Sequence, residues 1–546
     1  MKKIIYILLL TVFILLIDDI FLGVDIHTYL PFHIWASPLF VTISYIVVLL
    51  SVSTISLYLL SSRKILAIPL LILYIVLWLF EINYKLIGGA GFNFNELLNI
   101  FHNPEFIVDA ISSFISIEAI ILSVVVVVFW LLIYRVINKI IFTKKISLKI
   151  SFFLLFLLLI IDVFVYKKIH GFRHYPSNLK MLHSSFVQLF LSEPYSKREE
   201  PKNLTINKKN QLSENIIFIV DESIRGDLLQ LNGYERETTP YLSKVQNEII
   251  NFGIAVSSTT QSHESNMIMR TGVSLESLPD INRVNEKNMP LVYYAKKAGF
   301  FTTILDSQSN GIVNGLREED KKYVDKVVSH TELNCTKSYR DRKMIDEIVK
   351  VMDTNENNFI YFDKYGAHFH YDDTYPESEK KFSPTIKMEK VDATEREKRV
   401  NSYCNSIRWS VDNFWKILID KLSDRDFIIV YVSDHGQSLM EDPDYKRTHA
   451  GNKVEQAIVP LWIYASSKAK QRLFKKYGQE FLNNKNRASH FEVFPTILKL
   501  LGVETNEISL FDKIQQDRDR YYFSPEGGVG RLMLIEKHKY IKRNHD

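Results

Sequence analysis

Two hydrophobic patterns divide the chain. Up to about residue 170 the apolar positions run together. From about residue 215 they come as short runs separated by amphipathic stretches. Segments 4–22, 38–60, 65–80, 119–134 and 150–166 each approach the ~20 apolar residues a helix needs to cross a bilayer core. They predict an N-terminal domain of five transmembrane helices over residues 1–166. Lys2 and Lys3 before an apolar run resemble the start of a signal peptide, but no small-residue cleavage site follows and four more segments do. The first segment therefore reads as an uncleaved helix.

The cations fix an expected orientation. Lys2, Lys3, Arg63, Lys64, Arg135, Lys139, Lys144, Lys145 and Lys149 all fall on one side if the N-terminus is cytoplasmic. The C-terminal part then lies outside. In the outer loop, Leu97, Leu98, Phe101 and Phe106 fit either a short helix lying on the membrane or packing against the soluble part. Residues 167–213 are basic and irregular, and Tyr166, Phe172, Tyr175, Leu182 and Phe186 suggest an interfacial helix and linker.

Residues 214–546 read as one large soluble domain. Strands are expected at 216–220, 301–305, 359–362, 427–432 and 460–464, and helices at 239–249, 395–422 and 491–501. Apolar runs of that length alternating with helices predict an α/β fold with a mostly parallel, buried sheet flanked by helices. In such sheets ligands gather beyond the carboxyl ends of the strands.

Composition narrows the function classes. A formal charge of +5 on 546 residues is too weak a bias for a basic nucleic-acid binder. Two cysteines exclude a disulfide scaffold and a cysteine-rich zinc module. A hydrophobic fraction of 47% excludes disorder.

The chemistry sits at two strand ends. Glu222 follows the run IIFIVD, and Asp434 and His435 follow IIVYVS. Carboxylates with an imidazole form a zinc-type ligand set, although an SDHG turn alone also fits a strand end capped by Asp. Between them lies SSTTQSHES, with Ser257, Ser258, Thr259, Thr260, Ser262 and Ser265 just before a helix-like run. A hydroxyl there would face free backbone N–H groups, a place that binds phosphate. An ordinary Ser/Thr helix cap is the alternative.

Longer stretches carry a resemblance. FIVDESIRGDLLQLNGYERETTPYL, with its NGYxRxTTP stretch at Asn232 to Pro240, is similar to the opening of the phosphoethanolamine transferases of Gram-negative bacteria, within the alkaline-phosphatase/sulfatase-like superfamily. SSTTQSHES, YGAHFHYDDTYP, YCNSIRWSVD, VSDHGQSL and HFEVFPTILKLLG match in order, and so does the five-span layout. The resemblance implies an inner-membrane enzyme with a periplasmic catalytic domain. It would move phosphoethanolamine from phosphatidylethanolamine to lipid A, lipopolysaccharide core or another envelope glycan. It further implies a zinc ion held by Glu222, Thr260, Asp434 and His435, with Thr260 as nucleophile, and His368 and His449 binding the substrate phosphate or a second metal. His263, His370 and His490 have lesser claims, and His490 is expected to steady the start of the final helix. Where the family carries Cys-Gly before its threonines, this chain has Val256 and Ser257, and only Cys335 and Cys404 are available for the family's disulfides.

Other readings compete. A sulfatase needs a CxPxR-type stretch, which neither cysteine provides. A phosphoglycerol transferase of the lipoteichoic-acid-synthase type shares the layout but not NGYERETTP or SDHGQSL. A phosphodiesterase-like hydrolase and a non-enzymatic scaffold complete the set, and nothing in the sequence reads the acceptor.

Overall fold

The computed structural model describes residues 67–69, 71–73, 75–79, 117–137, 153 and 196–535, apart from 281, 310–315, 387–394, 443–447 and 526–530. The chain divides into two compact units, the first running to Pro194 and the second from Tyr195 onward.

In the first unit, helix α1 (Ile117–Ile137) falls on the fourth expected span. Ile120, Ile121, Val124, Val125, Val128, Leu131 and Leu132 are exposed on it, while Leu122, Val126 and Trp130 are buried. Among the residues whose side chains are described throughout, no helix is long and apolar enough to cross a membrane. The five-span arrangement is therefore not shown. The expected spans at 4–22 and 38–60 lie outside the described residues, as do the loop at 97–106 and the linker before residue 196.

The second unit is built on a seven-stranded sheet in the order β2-β7-β6-β1-β5-β3-β4. In chain order the strands are β1 (Asn215–Asp221), β2 (Ile250–Val256), β3 (Phe301–Asp306), β4 (Lys326–Ser329), β5 (Asn358–Asp363), β6 (Ile428–Ser433) and β7 (Ile458–Ala465). A separate hairpin pairs β8 (Tyr521–Ser524) with β9 (Arg531–Leu534). β6, β1, β5, β3 and β4 run parallel; β7 is antiparallel to β6, and β2, antiparallel to β7, runs with the other five.

β1 is central and buried along its whole length, which is why it reads as an unbroken apolar run. Ile216, Phe218 and Val220 point into one core layer, Ile217 and Ile219 into the other. The first layer is closed by α2 (Ser262–Thr271), α3 (Leu291–Ala298), α7 (Ser467–Tyr477) and α8 (Val493–Leu500), through Met269, Leu291, Leu473 and Ile497. The second is closed by α4 (Arg340–Thr354), α5 (Arg396–Ile407) and α6 (Phe414–Leu422), through Ile345, Tyr403 and Trp415.

Two expected helices change form. The one over 239–249 stops at Lys244, followed by a single turn, and β2 begins at Ile250. Its start is held by Asp412, which accepts from the Tyr241 and Leu242 N–H groups at 3.0 and 2.9 Å. The one over 395–422 is α5 and α6 joined through a π-helical turn at Arg408–Asn413. The NGYERETTP stretch is a structural knot. Thr238 and Thr239 accept from the Gln230 and Leu231 N–H groups, and the Asn232 amide donates to Gly226 O at 2.8 Å.

His490 opens the turn before α8 and ties it to the site. It is fully buried, its Nε2–H donates to Ser433 O at 2.9 Å, and its Nδ1 lies 3.3 Å from Ser258 Oγ. Burial, helped by nearby His435 and opposed by the Ser433 carbonyl, pulls its pKa down to about 3. The unfolded imidazole titrates near 6.5. As pH falls below that value the unfolded chain takes up a proton that the folded chain refuses. Stability present above about pH 6.5 is therefore lost toward pH 3, at up to about 1.4 kcal/mol per pH unit from this group. Urea unfolding of the parent and of His490→Asn at pH 7 and pH 5 should show a smaller acid loss in the variant. Equal losses would assign the acid sensitivity elsewhere.

Candidate active site

The carboxyl ends of β1 and β6 lie side by side, with Asp221 paired to Ser433, so the residues that follow each strand emerge together. Glu222, Asp434 and His435 meet there with ligand atoms all within 4.8 Å of one another, and all three are buried. His435 Nε2 lies 3.5 Å from both Glu222 Oε1 and Asp434 Oδ2. The structure brings these three sequence-predicted residues together.

The donors inside the cluster point to a cation. Asp434 Oδ1 accepts from the Ser223 N–H at 2.9 Å and its own neighbour's N–H, that of His435, at 2.7 Å. Its Oδ2 is buried without a hydrogen-bond partner, a costly arrangement unless something positive sits against it. His435 Nδ1–H donates to Gly436 O at 2.7 Å, which leaves the Nε2 lone pair facing the carboxylates, the tautomer a metal ligand needs. Burial pushes the Asp434 carboxyl well up, and the negative charge of Glu222 pushes it further. For Glu222, burial acts upward, but His435 and His368, with the hydrogen bond from Ser223, bring it down to about 2. Two buried carboxylates this close keep a proton on one of them until a cation replaces it. An imidazole nitrogen with carboxylate oxygens suits zinc.

Thr260 does not join this cluster. Its Oγ1 donates to Gly451 O at 2.8 Å. The hydroxyl at the cluster is Ser262, with Oγ 3.1 Å from Glu222 Oε2 and 3.1 Å from His435 Nε2. The physical reason is where the helix begins. Gln261 is the N-cap and Ser262 the first helical residue of α2, so Thr260 sits two positions outside, in the turn leaving β2. The sequence expectation named Thr260; the structure brings the Ser262 hydroxyl, not that of Thr260, to the three residues.

His368 and His449 flank the three ligands without being among them. His368 stacks on Tyr365 with ring centroids 5.4 Å apart, and its charge bears on both Glu222 and His435. His449 stacks on His435 at 4.9 Å, nearly parallel, with Thr448 Oγ1 at 3.2 Å from its Nδ1. Cys335 and Cys404 are both free thiols, so no disulfide links them.

Several supporting residues carry no local sequence signal. Gln308, beyond β3, donates from Nε2 to Glu222 Oε2 at 3.2 Å and to Lys364 O at 2.7 Å. Tyr403 on α5 donates to Ser223 O at 2.6 Å and accepts from the Arg225 N–H at 2.8 Å. Arg225 bonds Asp227, Glu441 and Gln437 O, clamping the loop that follows His435. Gly366 has φ +55°, and a Cβ there would lie 2.3 Å from Asp221 Oδ1, so only glycine lets the His368 loop pass this close.

A family profile described as Sulfatase matches residues 214–503. The Kdo(2)-lipid A phosphoethanolamine 7''-transferase of Escherichia coli K12 is 27% identical over 322 residues, which are 58% of this chain and 53% of that protein. The phosphoethanolamine transferase EptA of the same strain is 26% identical over 345 residues, 59% of this chain and 57% of its own length. The chain thus spans about half the length of the curated relatives it matches. Among solved structures, the integral membrane lipooligosaccharide phosphoethanolamine transferase A of Neisseria meningitidis superposes with a TM-score of 0.61 at 19% identity, covering 91% of this chain and 95% of that one. The C-terminal periplasmic domain of EptC from Escherichia coli, in complex with Zn, superposes with a TM-score of 0.52 at 21% identity over 62% of this chain and 96% of that domain. At these identities the superpositions establish the fold.

Proposed function

The chain belongs to the sulfatase family, and from that premise we propose that it is a zinc-dependent phosphoethanolamine transferase that works through a covalent Ser262 intermediate. The observation that carries this reading is the hydroxyl of Ser262 at the first position of α2, 3.1 Å from both Glu222 and His435. Glu222, Asp434 and His435 would hold the zinc. A bound zinc supplies positive charge that favours the ionised hydroxyl and offsets charge developing on the phosphoryl group.

The rest of the chemistry belongs to the chain. Ser262 Oγ attacks phosphorus of phosphatidylethanolamine. An oxygen–phosphorus bond forms, the bond to the glycerol oxygen breaks, and diacylglycerol leaves with a proton. The first-turn N–H groups of α2 face the phosphoryl oxygens. His368 and His449, on either side of the ligands, contact and orient the same group. An acceptor oxygen then attacks the phosphoseryl ester and Ser262 leaves. Catalysis of this kind is mostly positioning and charge stabilisation. The relative named as a Kdo(2)-lipid A phosphoethanolamine transferase supports a lipid A or other envelope-glycan acceptor, and the integral-membrane and periplasmic relatives support a place at the outer face of an inner membrane, with the five expected spans as anchor.

Full-length protein incubated with phosphatidylethanolamine alone, digested and analysed by mass spectrometry, should carry phosphoethanolamine on Ser262. Phosphatidylglycerol in the same experiment should leave no adduct. An adduct on Thr259 or Thr260 would move the nucleophile. A phosphoglycerol adduct would favour the lipoteichoic-acid-type reading.

A further inference from the structure

A fully buried ion pair lies directly behind the metal cluster. Lys364, just beyond β5, and Asp221, the last residue of β1, are both 0% exposed, and Lys364 Nζ contacts Asp221 Oδ2. The ammonium also donates to Ser410 O at 2.6 Å, in the π-helical turn, lies 3.8 Å from Asp341 Oδ2 and sits 4.3 Å from the Phe414 ring centroid. Tyr431 OH donates to the same Asp221 oxygen at 2.7 Å. Both side chains are fully buried, and the pair is held by groups on β1, β6, α4 and the α5–α6 junction.

Its contacts lead into the ligands. Asp221 Oδ1 accepts the Glu222 N–H at 3.0 Å, and Asp221 O accepts the Asp434 N–H at 2.9 Å. Lys364 N–H donates to Val220 O at 2.9 Å, and Lys364 O accepts from Gln308, whose other contact is Glu222 Oε2. Asp341 in turn accepts the Tyr365 and Gly366 N–H groups at 2.8 and 3.1 Å, at the start of the His368 loop. Asp434 is therefore hung from the backbone carbonyl of Asp221 and the Glu222 N–H from its side chain, and that side chain is fixed by Lys364.

We propose that the Lys364–Asp221 pair is the positioning element of the metal centre, setting where Glu222 and Asp434 present their oxygens. The inference rests on the cluster being a metal site and not on which lipid is the donor. Removing one member of a buried pair leaves the other charge poorly compensated, whereas removing both leaves only Asp341, which keeps the Tyr365 and Gly366 N–H groups. The single changes should therefore distort the ligands, and the double change should largely restore them. Asp221→Asn keeps an acceptor for the Glu222 N–H, and Lys364→Met keeps the length of the side chain.

The test is zinc affinity of the full chain in detergent, measured by competition with a chromophoric chelator. Lys364→Met and Asp221→Asn should each weaken zinc ten- to a hundredfold, the range expected when a partner behind a ligand is lost. The double variant should lie within tenfold of the parent, and saturating zinc should restore turnover in both single variants. Unchanged affinity in the single variants, or a double variant as weak as the singles, would overturn the proposal. If one single variant does not fold, the other decides: a ten- to hundredfold loss supports the proposal and unchanged affinity overturns it. A parent chain that binds no zinc would remove the metal reading itself, and this inference with it.

Discussion

Replacing Ser262 with alanine is expected to lower turnover by about 10⁴-fold or more, the scale seen when a nucleophile is removed from an enzyme that forms a covalent intermediate. The methyl group offers no oxygen to phosphorus. The side chain is small and at the first turn of α2, so the helix should form without it. Ser262→Thr keeps a hydroxyl at the same position and should retain measurable activity. Thr260→Ala is the informative contrast. It loses one hydrogen bond, to Gly451 O, worth about 1 kcal/mol, and should cost less than tenfold in turnover. Headgroup release from phosphatidylethanolamine vesicles, measured for the three variants with melting temperatures alongside, checks the order. Full activity in Ser262→Ala with loss in Thr260→Ala would reinstate the threonine.

Asp434→Asn should lose at least about a hundredfold in zinc affinity, and activity with it at limiting metal. A ligand is removed here, a larger change than loss of a partner behind one. The amide matches the carboxylate in shape, so the Oδ1 contacts to the Ser223 and His435 N–H groups survive. The position of Oδ2 is the one that changes. It is buried without a hydrogen-bond partner, and an amide NH₂ there would face the cation instead of an anionic oxygen. Because a raised Asp434 carboxyl would release a proton on binding, zinc affinity of the parent should rise with pH. Stoichiometric zinc by elemental analysis in Asp434→Asn, with parent-like affinity, would place the site elsewhere.

The sheet was legible where burial is two-sided. β1, β5 and β6 are apolar on both faces, and their sequences show it as unbroken runs with an acid at the end of β1 and β5 and just after β6. β2 was hidden because Asn251 and Gly253 interrupt it at an irregular register, Gly253 with φ +71°. β4 is only four residues at the sheet edge. Glu222, Asp434 and His435 were legible because each follows such a run directly. Ser262 was one hydroxyl among six, and what selects it is the helix start. That start is marked by Gln261, which makes no side-chain cap and so leaves no signature. Lys364 and Asp221 could not be paired from sequence, since 143 positions separate them and each reads alone as a polar strand end.

The seam between β1 and β6 joins Glu222 to Asp434, 212 positions apart. Contacts of such separation are entropically expensive to close and tend to form late. A chain that has only been synthesised as far as α2 possesses Glu222 and Ser262 but no site, because Asp434 and His435 do not yet exist. On the proposed zinc reading, metal uptake during refolding would work as a clock for the closing of this one seam, its rate following the slow formation of the native sheet rather than the fast collapse of either half.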